Sequence, residues 1–217
     1  MKYFKKSFNL IFKYPKYLLL ILEITITNRV NSISYIHKKV SEFNYEDIEG
    51  FLIPDQLFAL EKYLKDKKNI LEIGFNLGHT AEAFIKNSDA YITSLDIFIH
   101  SYSFISRIYF TKYFRERIKF LNGDSTIMLP KLILEKKRFD LILIDGGHSY
   151  NIAKSDIENS LSLINNEGVI VIDNLETKSV MQAVKDFVDI NKIELIHKES
   201  FSMKQNGLSD IGIFKKI

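Results

Sequence analysis

Residues 69–80 read Asn69-Ile70-Leu71-Glu72-Ile73-Gly74-Phe75-Asn76-Leu77-Gly78-His79-Thr80. The first five form a short apolar run, the length of a buried strand, with one acid set inside it. Gly74 allows the chain to turn sharply and to approach a ligand closely. Gly78 allows the same at the entrance of a helix expected over 80–86, where unpaired backbone N–H groups favour an anion. Strand, glycine turn and helix together make the opening unit of a nucleotide-type site. The spacing G-x-x-x-G departs from the G-x-G-x-x-G of dinucleotide loops, which counts against a nicotinamide-dependent oxidoreductase.

Downstream, short apolar runs alternate with longer amphipathic ones. Strands are expected at 90–95, 118–121, 139–144, 169–172, 193–197 and 211–214, and helices at 103–115, 125–136, 152–163 and 179–189. Phe139 to Ile144 (FDLILI) is apolar nearly throughout, as in strands covered on both faces. The alternation predicts an α/β, doubly wound (Rossmann-like), seven-stranded and mostly parallel sheet. In such sheets ligands bind beyond the carboxyl ends of the strands. Polar and glycine residues stand at those ends: Gly74, then Asp96, then Gly123-Asp124-Ser125, then Asp145-Gly146-Gly147-His148, then Asp173-Asn174. Asp96 is placed to accept ribose hydroxyls. Asp124 and Ser125 stand near where an adenine edge would lie, and Ser125 also suits a helix cap. Asp145, Asp173 and Asn174 offer three oxygen donors at adjacent strand ends, a set suited to Mg²⁺ or another hard divalent cation.

The runs ILEIGFNLGHT, SLDIF, GDS, FDLILIDGGHSY and GVIVIDN resemble the successive motifs of class I S-adenosylmethionine-dependent methyltransferases, and among them methyltransferase family 24. The lead-in Ile48 to Gln56 resembles that family too, so the likeness runs from about residue 46 to the C-terminus. It implies a cofactor, S-adenosyl-L-methionine, held by Glu72, Gly74, Phe75, Asn76 and Gly78, with His79 and Thr80 at the exit of the loop. The ribose would rest on Asp96, the adenine near Asp124 and Ser125, and Asp145 would serve both the cofactor and the chemistry. The Asp145, Asp173, Asn174 set also resembles that of the metal-dependent catechol-type O-methyltransferases. A lysine there acts as general base at the position of His148, which makes His148 the candidate base here; imidazole titrates near neutrality. Gly147 stands where relatives often carry Asp. The implied activity is O-methylation of a small hydroxyl compound or a sugar. A metal-independent enzyme, an N-methyltransferase and a non-catalytic Rossmann-like binding protein stand as alternatives. The acceptor pocket is expected from residues 28–60, 100–117 and 203–208, with Tyr150 either shaping it or packing.

At 217 residues, 46% of them hydrophobic, the chain is long enough for one large domain with an extension, and the absence of cysteine excludes disulfides and thiolate sites. Its net charge of +3 is unevenly spread. Residues 1–40 hold eight Lys/Arg against Glu23 alone, while the rest is mildly acidic, which argues against a nucleic-acid-binding body. The expected division is a basic, apolar, helical extension over 1–45 and a methyltransferase domain over 46–217. The apolar stretch from Tyr17 to Thr27 is shorter than the ~20 residues of a membrane span, and no small-residue cleavage site follows it. Two readings of the extension stand: a helix packed on the domain or on a second subunit in a homodimer, or an interfacial anchor with lysines on anionic headgroups. The expected location is the cytoplasm, or its membrane surface.

Overall fold

The computed structural model describes residues 14–45, 48, 52, 54–203 and 207–217. Three helices come first: α1 (Pro15–Ile26), α2 (Ile33–Phe43) and α3 (Pro54–Leu64). Strands and helices then alternate as β1 (Asn69–Ile73), α4 (His79–Asn87), β2 (Tyr91–Asp96), α5 (Ser101–Tyr113), β3 (Ile118–Asn122), α6 (Ser125–Leu134), β4 (Phe139–Ile144), α7 (Tyr150–Leu163), β5 (Ile164–Ile172) and α8 (Lys178–Asp189), closing on β6 (Ile193–Met203) and β7 (Gly207–Lys216).

The seven strands form one sheet in the order β3-β2-β1-β4-β5-β7-β6. β1 to β5 run parallel, and β7 is antiparallel to both β5 and β6. The expected doubly wound, mostly parallel sheet is therefore present. The winding changes direction between β1 and β4, the place where such sheets bind ligands. Register aligns the strand ends there: Ile73 pairs with Leu95 and with Ile144, Asp96 with Asn122, and Ile144 with Ile172.

The period of two along each strand splits the core into halves. Ile70, Leu141, Leu143, Val169 and Val171 face the side covered by α1 to α5. Leu71, Ile73, Ile142, Ile144, Ile170 and Ile172 face α6, α7 and α8. Burial on both faces explains why β4 reads as one continuous apolar run.

The N-terminal helices are part of the first half. Tyr17, Leu20 and Ile24 of α1, spaced three and four apart, are buried with Ile33, Ile36 and Val40 of α2. α1 lies on α5, whose Lys112 donates to the carbonyls of Ile24 (2.9 Å) and Thr27 (2.5 Å), a cation placed on a helix C-terminus. Glu82 of α4 accepts from the Ile33 amide (3.0 Å) and the Tyr109 hydroxyl (2.8 Å) and pairs with Lys86 (3.1 Å), tying α2, α4 and α5 together. For residues 15–43, then, the extension packs on the domain. Residues 1–13 of the expected extension, and most of the lead-in at 46–53, lie outside the described residues. Among the described residues no helix is long and apolar enough to cross a membrane.

The expectations fall short in three places, the first being β5, expected at 169–172, which begins at Ile164. The last two strands are far longer than 193–197 and 211–214: they form a hairpin paired from Ile193↔Lys216 to Met203↔Gly207. Its outer half carries Lys198, Glu199, Ser200 and Ser202 and has no continuous apolar run to mark it. The helix α3 was not anticipated as an element; its buried stripe is Gln56, Ala59, Leu60 and Leu64.

Candidate active site

The carboxyl ends of β1 to β5 open into a cleft of about 470 Å³, within the roughly 300–1,000 Å³ of small-molecule sites. Of the residues expected to form the site, Gly74, Asn76, Asp96, Asp124, Ser125, Asp145, His148, Asp173 and Asn174 line it together. Glu72, Phe75, Gly78, His79 and Thr80 do not line it; they sit behind its wall.

Gly74 has φ of +99°, and a Cβ there would come within 2.0 Å of the Asp145 carbonyl oxygen. The glycine lets the end of β1 lie against the end of β4. Gly78, at φ +92°, faces the rings of Phe110 and Phe75, which a Cβ would meet at 2.6–2.7 Å. The second glycine thus serves ring packing. Phe75 joins Phe98, Phe110 and Phe120 in an aromatic cluster beneath the loop.

Asp96 organises that loop. One oxygen accepts from the amides of Phe75 (2.8 Å) and Asn76 (3.0 Å), and the other from Phe98 (2.6 Å). A carboxylate has about four acceptor sites, so this cradle leaves capacity toward the cleft. Behind it, Glu72 is fully buried and accepts from the Ser94 hydroxyl (2.5 Å). Burial is the main reason its carboxyl is pushed up to about 8, with the charge of Asp96 adding to the effect.

His79 turns away from the cleft. Its Nε2 lies 2.8 Å from Nδ1 of His37 on α2, and burial, then His37, lowers its pKa to about 4. At the next strand end, Asp124 is the cap of α6, accepting from the Thr126 amide (2.9 Å) and hydroxyl (2.7 Å). Ser125, read as the cap, is instead the first helical residue.

Asp145 and Asp173 stand near enough to feel each other's charge. Loss of water raises the Asp145 carboxyl well above the usual carboxylate range, with Asp173, Glu72 and Asp96 adding to it. Burial pushes Asp173 up to about 7 against the hydrogen bond it accepts from Gln56 (3.2 Å). Asn174, at φ +58°, donates to Glu176 (3.4 Å). Among the described residues no group of three or more His, Cys, Asp or Glu side chains is arranged to hold a metal. His148 is exposed at the rim, and its carbonyl accepts from Ser179 (2.5 Å). Tyr150 packs between helices, its hydroxyl bonded to Asp186 (2.5 Å).

Gln56, Ile97, Ile99, His100, Glu176 and Ser209 also line the cleft. Of the segments expected to build the acceptor pocket, only Gln56 and His100 reach it among the described residues. Gln56 follows Pro54 in the first turn of α3, a position the lead-in motif contained without marking. Ser209 sits in the part of β7 that the short apolar run missed.

Residues 71–175 match the family model described as a methyltransferase domain. The resemblance read from the motifs is thereby borne out over that stretch, a little under half of the chain. No curated protein matches the chain significantly. Among solved structures, the O-methyltransferase from Bacillus cereus in complex with SAH is 16% identical, covering 90% of this chain and 95% of that one, with a TM-score of 0.64. The O-methyltransferase TomG from Streptomyces achromogenes, involved in tomaymycin synthesis and in complex with SAM, is 15% identical over 90% and 93%, with a TM-score of 0.65. The cofactor-bound protein Rv0187 from MTB is 14% identical over 93% and 97%, with a TM-score of 0.71. At these identities the likeness concerns the fold.

Proposed function

We propose that this chain, which carries a methyltransferase domain at residues 71–175, is an S-adenosylmethionine-dependent enzyme that methylates a hydroxyl oxygen of a small molecule. The observation that carries this reading is the convergence of Gly74, Asp96, Asp124, Asp145 and Asp173 on one cleft at the switch point of the sheet. When bound, S-adenosylmethionine supplies a methyl group on a sulfonium whose departing thioether is neutral, so no acid is needed for the leaving group. The chain's own work is alignment and removal of one proton. Asp96 would hold the ribose side, while Asp124 and Ser125 would frame the adenine side. His148 takes the acceptor's proton at the rim and passes it to solvent.

A second reading is favoured by Asp145 and Asp173, which follow the paired strands β4 and β5 into one cleft. Together with Asn174 they would hold a divalent cation, whose charge would lower the pKa of an acceptor hydroxyl. The donors suit such an ion in chemistry, being two carboxylates and an amide. Release of S-adenosylhomocysteine in an acceptor screen tests the function. His148→Ala should lower kcat by about 10²-fold or more. Unchanged kcat would remove the base assignment. In the same assay, loss of rate in EDTA and its return with Mg²⁺ would establish the cation, and indifference to EDTA would exclude it.

A further inference from the structure

The acceptor's chemical class can be read from the cleft wall farthest from the glycine loop. The deduction rests on the methyltransferase reading. The cofactor side lies at the ends of β1 to β3, where Ile97 and Ile99 accompany Asp96. The other side lies at β5 and β7, and Gln56, Ser209, Asp173, Asn174, Glu176 and His148 form it. Every one of these side chains is polar. They come from four segments, and all but His148 are held by hydrogen bonds in two groups. Gln56, buried at the start of α3, donates to Asp173 (3.2 Å) and to the Ser209 hydroxyl (3.0 Å). Asn174 donates to one oxygen of Glu176 (3.4 Å), and the other accepts the Asp210 amide (2.8 Å).

What this wall offers, and what it lacks, selects between acceptors. Among the described residues no Phe or Tyr ring lines the cleft, so a flat phenolic ring would find only the imidazoles of His100 and His148 beside it, the first already stacked on Tyr102. Among the described residues no Lys or Arg lines it either, while the exposed carboxylate of Glu176 does, so a phosphate or carboxylate on the acceptor would meet like charge without a donor cation. A hydroxyl both donates and accepts, and an array of hydroxyls matches a wall of amides, carboxylates and a hydroxyl. We propose that the acceptor is an uncharged polyhydroxylated molecule, a sugar or glycoside, whose hydroxyls are read by Glu176 and Ser209, with Gln56 holding Ser209 and Asp173 in place behind them. A site built to hydrogen-bond hydroxyls rejects analogues lacking them, because its own polar groups are then left unpaired.

The test uses full-length protein loaded with S-adenosylhomocysteine. Ligand-observed saturation-transfer NMR is recorded with methyl glycosides of common hexoses, with catechol, and with hexose 6-phosphates. At least one methyl glycoside should bind, at least tenfold more tightly than the corresponding phosphate, and catechol should give no signal. Gln56→Leu should weaken the glycoside at least fivefold. Glu176→Gln, at an exposed position, should narrow the discrimination against the phosphate at least threefold. Catechol or a phosphate binding better than every glycoside would overturn the proposal, as would binding of S-adenosylhomocysteine with no glycoside binding at all. Failure to bind S-adenosylhomocysteine would instead strike the methyltransferase reading itself. Retained binding of that product by each variant shows that the variant is folded.

Discussion

Asp156 of α7 is fully buried beside Gly146, whose Cβ would lie 3.4 Å from its Oδ2. Burial, then the charge of Asp124, pushes this carboxyl up to about 7, against the side chain of Ser125. A carboxyl raised in the folded state favours folding below its unfolded value, and that contribution is lost as pH rises through the folded one. Wild-type stability should therefore fall between about pH 4 and 8 on this account. Asp156→Asn, which keeps the shape and removes the charge, should stabilise the protein by about 1–3 kcal/mol at pH 8 and leave it unchanged near pH 4. Thermal unfolding at the two pH values measures this; an equal gain at both would show that charge is not the cause. His79 acts in the opposite sense: with its folded pKa depressed to about 4, its stabilisation is present above about 6.5 and is lost as pH falls through 4.

The glycines make a second residue-scale contrast. Gly74→Ala would drive a Cβ into backbone at 2.0 Å in a left-handed conformation, so it should cost several kcal/mol, above the ~1–3 kcal/mol of ordinary overpacking. Gly147→Ala meets the Ile152 side chain, Cδ1 at 2.9 Å and Cγ2 at 3.0 Å, but no backbone, and should cost about 1–3 kcal/mol, less than Gly74→Ala. Denaturant melts of both variants check the order. From the sequence Gly74 and Gly78 stand out as turn glycines beside a ligand loop, and Gly74 lines the cleft. Their neighbours, the Asp145 carbonyl and the Phe75 and Phe110 rings, come from contacts that no local motif encodes.

At the scale of elements, α1 separates packing from surface. Leu20 is 2% exposed and Leu19 is 64% exposed on the same helix. Leu20→Ala should cost about 2–5 kcal/mol, while Leu19→Ala should be near neutral, as denaturant unfolding would reveal. Equal effects would mean that α1 does not dock as described. Removing residues 1–40 would strip Tyr17, Ile24, Ile33 and Ile36 from a shared core, so aggregation of such a truncation says nothing about a membrane anchor. Elements with a strong apolar period were legible: β1, β4 and α7 fall within two residues of expectation. The β6–β7 hairpin and α3 were not. Half-exposed strands mix charge with apolar residues, and the role of α3 depends on Gln56 reaching across to Asp173 and Ser209.

For the whole molecule, the order of strand ends carried the most information. A parallel sheet places each of those ends on one edge, so Asp96, Asp145 and Asp173 could be grouped from sequence although about fifty residues separate the first and second. What sequence could not supply was the use of each group. Asp96 was read for a ribose and also holds three backbone amides; His79 was read for the loop and pairs with His37. The wall built by Gln56, Glu176 and Ser209 required the folded chain, since β7 and α3 meet there from opposite ends of the sequence. The central claim is that this cleft binds S-adenosylmethionine, and calorimetric titration of the full-length protein tests it most directly. The account predicts one site per chain with micromolar-range affinity for S-adenosylmethionine and S-adenosylhomocysteine, and no binding of NAD. No heat with either sulfur compound, or binding of NAD in their place, would contradict it.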